Sequence, residues 1–151
     1  MVAQPFEFSG ARGALLTVDN EVVTTIDVVQ LVVTILLAVT FIGMGANHFV
    51  PSRARGMAAM IPPWIKGDGW RSAKSLVRIT GVSEIAGGAG LLVPWTHVLA
   101  AIALAVFLVA VFPANAYAAA NRERFGRAAI PLIPRLIAQI VMIALLVFVA
   151  V

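Results

Sequence analysis

The chain has 151 residues, of which 61% are hydrophobic and 12% charged, with a formal net charge of +4 and no cysteine. A soluble domain averages about 45–50% apolar and about 25% charged residues, so this composition excludes an ordinary soluble fold and places the chain in a bilayer. The missing cysteines exclude structural disulfides, thiolate metal sites and Cys-based redox chemistry together.

Residues 1–25 form a polar N-terminal segment, with Arg12 against Glu7, Asp19 and Glu21. No basic n-region precedes the first apolar stretch, so no cleavable signal peptide is expected. Residues 26–151 form a membrane domain with four stretches of the length a span needs, roughly 17–25 mostly apolar residues. These are 26–49, 76–93, 97–118 and 131–151. Arg78 and Glu84 lower the apolarity of the second, and Pro113 predicts a kink near the end of the third. The expected fold class is an all-α membrane protein, a bundle of four transmembrane helices.

The connections set orientation. Residues 50–75 carry Arg53, Arg55, Lys66, Arg71 and Lys74; the third connection carries Arg122, Arg124 and Arg127, with Arg135 just inside the fourth span. The tight second turn, residues 94–96, has no charge. Lys and Arg concentrate on cytoplasmic loops, so both basic connections are expected inside and both termini outside. Topology therefore accounts for the positive charge, and no nucleic-acid partner is expected; the partner is the lipid bilayer. Pro62, Pro63, Trp64 and Trp70 lie among the first set of cations, a mixture suited to the headgroup zone. They read as an interfacial anchor, with a docking surface or lid over a site as the sharper alternative.

Polar residues converge on the cytoplasmic half. The first span ends in Asn47 and His48, and the third carries Asn115 and Tyr117 near its end. The second and fourth spans bring Arg78 and Arg135 at shallow depth, with Glu84 and Gln139 each roughly 12 Å in at the helical rise per residue. The outer half has little beyond His97. Thr80, Gly81, Glu84, Gly87, Gly88 and Leu91 share one helical face. That face is nearly all small residues, which let a neighbouring helix approach closely in lipid, so Glu84 is expected in a packed seam. Arg78 stands about 120° round the helix from Glu84, which makes Arg135, from another helix, the expected partner.

Interhelical hydrogen bonds in membranes average about 0.6 kcal/mol, while a charge at mid-membrane costs at least ~2.5 kcal/mol. Glue could be made from Ser, Thr or Asn at lower cost. A carboxylate there points instead to proton handling or to binding a polar group of a ligand, although interhelical glue remains the competing explanation. His48 and His97 fall on opposite sides of the membrane, so they cannot share a haem, and no metal-ligand spacing, phosphate loop or nucleophile elbow is present.

NHF at residues 47–49, PPW at 62–64, GVSEIAGGAGLLVP at 81–94, FPANAY at 112–117 and the Arg135-x-x-x-Gln139 spacing together resemble the DoxX family of small four-helix bacterial membrane proteins. The resemblance spans residues 30–145. It implies a multi-pass protein of the bacterial inner membrane. It also implies kinship with the membrane subunit of a thiosulfate:quinone oxidoreductase, and so a redox-protein partner and a quinone as the ligand. A broader likeness to quinone reductases of the vitamin K type fails, because those use a CxxC pair. The functional expectation is a non-catalytic membrane subunit or anchor of a redox complex with a polar site around Glu84, with no independent activity. The alternatives are a carrier or binder of a small amphipathic molecule or lipid, and a structural subunit, including one that assembles with copies of itself.

Overall fold

The computed structural model describes residues 16–18, 21–125 and 130–151. A three-residue antiparallel ladder pairs β1 (Leu16–Val18) with β2 (Glu21–Val23). The remaining regular structure among the described residues is helical.

Helix α1 (Thr25–Asn47) begins at a capping box. The Thr24 side chain accepts from the Asp27 backbone N–H, and the Asp27 carboxylate accepts from the Thr24 N–H at 2.8 Å, so two donors that a helix start leaves orphaned are satisfied reciprocally. Residues 50–75, read from the sequence as a loop, contain a helix of their own, α2 (Pro51–Met60). Pro51 suits its first turn, where no N–H is needed. Its end is dictated by Pro62: the residue before a proline is pushed out of the helical region, and Ile61 accordingly has φ −70° and ψ 128°. A single 3-10 turn, Gly69–Arg71, follows, and Gly69 takes a φ of +59° that a side chain would strain. Ser72 then caps α3 (Ala73–Leu91) by accepting from the Ser75 N–H. α4 (His97–Ala120) runs on past Pro113, the short α5 (Arg122–Phe125) follows, and α6 (Leu132–Ala150) starts directly after Pro131.

Among the described residues, α1, α4 and α6 are the three helices long and apolar enough to cross a membrane. α3 has the length, at 19 residues, but Lys74, Arg78 and Glu84 keep it below the apolarity of the other three. The four long helices are each other's neighbours in the order α1–α3–α4–α6, and α6 returns to α1. Each adjacent pair is antiparallel: Gly45 meets Gly81 and Ala38 meets Gly88 across α1–α3, Leu104 meets Gly87 across α3–α4, and Asn115 meets Arg135 across α4–α6. At the centre lie Leu37, Phe41, Leu91, Leu104 and Leu146. Large apolar side chains also cover the outside, including Leu36, Val39, Leu99 and Ile133. A soluble domain rarely exposes such continuous apolar surface. Helices this apolar on both their inner and outer faces gain little from hydrophobic burial when they associate in a bilayer, where close packing has to hold them together.

The seam between α1 and α3 shows how. A Cβ at Gly45 would sit 2.7 Å from the carbonyl oxygen of Gly81, and one at Gly81 would sit 2.6 Å from the Cβ of His48. The two backbones are in contact, and only glycine fits. The buried residues of α3 are Val77, Gly81, Glu84, Gly88 and Leu91, close to the small-residue face expected from the sequence. The helices do not end together, however. α1 stops at Asn47, level with the stretch from Val77 to Glu84, while α3 continues toward Ala73. α2 packs against α3 and α4 beyond that point.

Candidate functional site

That stagger creates the site. His48, the residue just past α1, lays its ring across α3. Its Nδ1 lies 2.9 Å from the Val77 carbonyl oxygen and 3.0 Å from the Thr80 hydroxyl, which itself donates to the same carbonyl at 2.9 Å. Its Nε2 lies 3.2 Å from Oε2 of Glu84. Glu84 is only 5% exposed, whereas the His48 ring keeps some surface, with a side-chain exposure of 13%. The Nε2–Oε2 contact is close enough for an ion pair but lacks the alignment of a hydrogen bond, and among the described residues no other donor reaches that oxygen.

A carbonyl oxygen can only accept, so a bond between Nδ1 and Val77 places a hydrogen on Nδ1. Nε2 then faces the carboxylate, and a further proton can be held by either group. On Nε2 it makes an imidazolium–carboxylate pair; on Glu84 it makes a neutral acid facing a neutral imidazole. The outer member of the pair, His48, touches the surface and the inner member, Glu84, is buried.

The remaining residues that the sequence singles out fall into separate groups. Arg135 is not beside Glu84: its Nη1 donates to Oδ1 of Asn115 at 2.5 Å, joining α6 to α4. The expectation of an Arg135–Glu84 pair is therefore replaced by His48–Glu84 and Arg135–Asn115. The reason is the early end of α1, which brings the imidazole to the carboxylate first. Gln139, one turn further along α6, has a buried Oε1 without a donor among the described residues. Asn47 accepts from Arg53, and Arg78 is exposed on α3. Tyr117 lies in an aromatic group with Trp64 and Phe125. Pro62 is buried, whereas Pro63, Trp64 and Trp70 are exposed. Thr80 and the Val77 carbonyl, which orient the imidazole, were not foreseen as part of a site; Thr80 stands four residues before Glu84 on the same face, which was the available signal.

The opposite end is more polar than its sequence suggests. The His97 ring nitrogens lie 2.6 Å from the Leu91 carbonyl oxygen and 2.7 Å from that of Val149, and Gln30 Nε2 donates to the Phe148 carbonyl at 3.0 Å. Helix C-termini leave such carbonyls without intrahelical partners, so these side chains cap the ends of α3 and α6. No group of three or more His, Cys, Asp or Glu side chains with metal-site geometry occurs among the described residues.

Compared with known families, residues 37–150 match a domain of unknown function, DUF8561. The chain belongs to the DUF8561 family. The match begins within α1 and includes every member of the His48–Glu84 and Arg135–Asn115 groups. No curated protein and no solved structure matches the chain. The resemblance to the DoxX family does not hold: the family found over this region is DUF8561. The motifs behind that resemblance have local structural work to do instead. The glycine run packs α3 on α1, the double proline ends α2, and Asn115 holds Arg135. Short motifs of that kind recur wherever small-residue helices pack in a membrane, whatever the lineage.

Proposed function

We propose that the chain is a multi-pass membrane protein in which the His48–Glu84 pair holds and exchanges a proton, serving as a carrier or membrane subunit rather than as an independent enzyme. The single observation that carries this reading is the 3.2 Å approach of His48 Nε2 to the buried Glu84 carboxylate, with Nδ1 turned to a carbonyl. An ionisable residue within a membrane domain is costly and is by default a functional position. Histidine is the side chain whose ordinary titration falls in the physiological range, and here it is the member nearer the surface.

In this reading α3 is a fourth span. It is flanked by α1 and α4 along its length, and its acid faces the seam. The two basic connections lie in the cytoplasm, so the termini face outward and protons reach His48 from the cytoplasmic side. The cytoplasmic membrane of a bacterium is the setting we infer. Neither a quinone nor a redox partner belongs to this reading, because both came only with the DoxX resemblance.

The test is pH-dependent infrared difference spectroscopy of the purified chain in proteoliposomes. A protonation band is expected in the native chain, absent in Glu84→Gln and shifted in His48→Gln, together with proton uptake that the first substitution removes. If Glu84→Gln leaves both the spectrum and the uptake unchanged, the pair is a packing lock between α1 and α3 and the proposal fails.

A further inference from the structure

The two basic connections, separate in sequence, form one surface. Trp64, after α2, meets Tyr117 of α4 edge to face at 5.6 Å, and Tyr117 meets Phe125 of α5 at 6.2 Å. The Arg124 guanidinium lies 5.5 Å over the Phe125 ring. An aromatic chain thus ties the first connection to the third. Around it the first connection is folded rather than loose: Gly67 N–H donates to the Arg71 carbonyl at 3.1 Å and the Arg71 side chain donates to the Ile65 carbonyl at 3.3 Å. This closed loop holds up Trp64 and Trp70, which are 69% and 72% exposed. The elements packed together at this end also carry exposed cations: Arg53 and Arg55 on α2, Lys74 and Arg78 one turn apart on α3, and Arg122 and Arg124 on α5. The exposed acids described at this end are Asp68 and Glu123.

We propose that this end of the molecule binds the headgroups of anionic phospholipids. Exposed tryptophans together with cations, at the ends of apolar helices, match the headgroup level of a bilayer, where indole sits among glycerol groups and arginine pairs with phosphate. Clusters of four to eight cations beside a span attract anionic lipid. The rigid aromatic tie makes the surface a preformed platform, so little ordering is needed when lipid binds. It is independent of the proton-exchange reading, which uses neither these cations nor these aromatics.

The experiment titrates the full chain in mild detergent with short-chain phosphatidylglycerol or phosphatidylcholine and reads tryptophan emission. Trp95, at the opposite end, is the internal control. With Trp64 as the single tryptophan, phosphatidylglycerol is expected to shift the emission at lower concentration than phosphatidylcholine, and salt should weaken the effect. With Trp95 as the single tryptophan the two lipids should act alike. The variant R53Q/R55Q/R124Q should lose about fivefold in phosphatidylglycerol affinity per cation removed, with phosphatidylcholine unaffected. Equal affinities for the two lipids in the native chain would overturn the proposal. So would inorganic phosphate competing as well as phosphatidylglycerol, which would assign the surface to free anions.

Discussion

The imidazole of His48 lies 3.2 Å from the carboxylate of Glu84 because α1 ends there and α3 does not. Each residue answers a need of the other. The acid is buried in a seam of glycines, and the histidine is held in place by Val77 and Thr80 on the helix that carries the acid.

Removing one member should therefore cost more than removing both. His48→Phe leaves the buried Glu84 side chain without its close polar partner among the described residues and should destabilise the chain by about 1–3 kcal/mol. The double variant H48F/E84L should recover part of that loss, because no buried polar group is left unpaired. Thermal unfolding in detergent, run as a double-mutant cycle, measures the difference. Additive losses would show that the two side chains do not interact.

Gly81→Ala tests the seam. Its Cβ would fall 2.6 Å from that of His48, so α1 must move or the ring must swing away. Overpacking of this kind costs about 1–3 kcal/mol. Gly43→Ala is the matched control, with nothing within 4 Å of the added Cβ. It should be neutral or mildly stabilising, since alanine favours a helix over glycine by about 1 kcal/mol. The melting temperature should fall for Gly81→Ala and hold or rise for Gly43→Ala.

The Arg135–Asn115 contact and the nearby Gln139 should respond differently. Asn115→Ala removes the partner of a partly buried guanidinium and should cost about 1.5–3 kcal/mol, the range for hydrogen bonds to charged groups. Gln139→Leu removes a buried oxygen that has no donor among the described residues and should be neutral or stabilising. Chemical or thermal unfolding distinguishes the two. Strong destabilisation by Gln139→Leu would reveal a partner for that oxygen.

His97→Gln should loosen the opposite end. A glutamine amide can reach one of the two carbonyls that the ring nitrogens span, Leu91 or Val149, but not both. Faster amide exchange at the C-terminal turn of α6, with the His48 end unaffected, is the expected readout by mass spectrometry.

Orientation has a direct test. The chain contains no cysteine, so Ser52→Cys, at an exposed position at the start of α2, provides a unique label site. A membrane-impermeant thiol reagent should modify it in inverted vesicles and not in intact cells. Labelling from the outside alone would reverse the topology.

Much of the architecture was legible because a membrane imposes simple rules. The expected spans at 26–49, 97–118 and 131–151 fall within two residues of α1, α4 and α6 at each end, since apolar length is what such helices must show. The inward face of α3 was legible as well, from glycine spacing. What escaped was stagger. Depth counted along each helix treats all helices as ending at one level, whereas α1 stops alongside Val77–Glu84. That shift gave Glu84 a histidine instead of an arginine and left Arg135 to Asn115. Helix α2 also escaped, because its polar, glycine-containing sequence lacks a strong apolar stripe and its limits are set by Pro51 and Pro62. The family could not be read from short motifs that packing alone explains.

The early end of α1 makes the protein a ruler. From the Thr24 cap to His48 the helix counts out a fixed number of residues, and the imidazole meets the carboxylate only at that count. One residue inserted between Phe41 and Gly45 would advance His48 by about 1.5 Å and turn it by roughly 100°, carrying it off the seam. The same insertion in the 50–75 connection would leave the pair in register. Length is therefore constrained within α1 far more tightly than composition, and an insertion scan along the chain would locate the His48–Glu84 contact without any knowledge of what it serves.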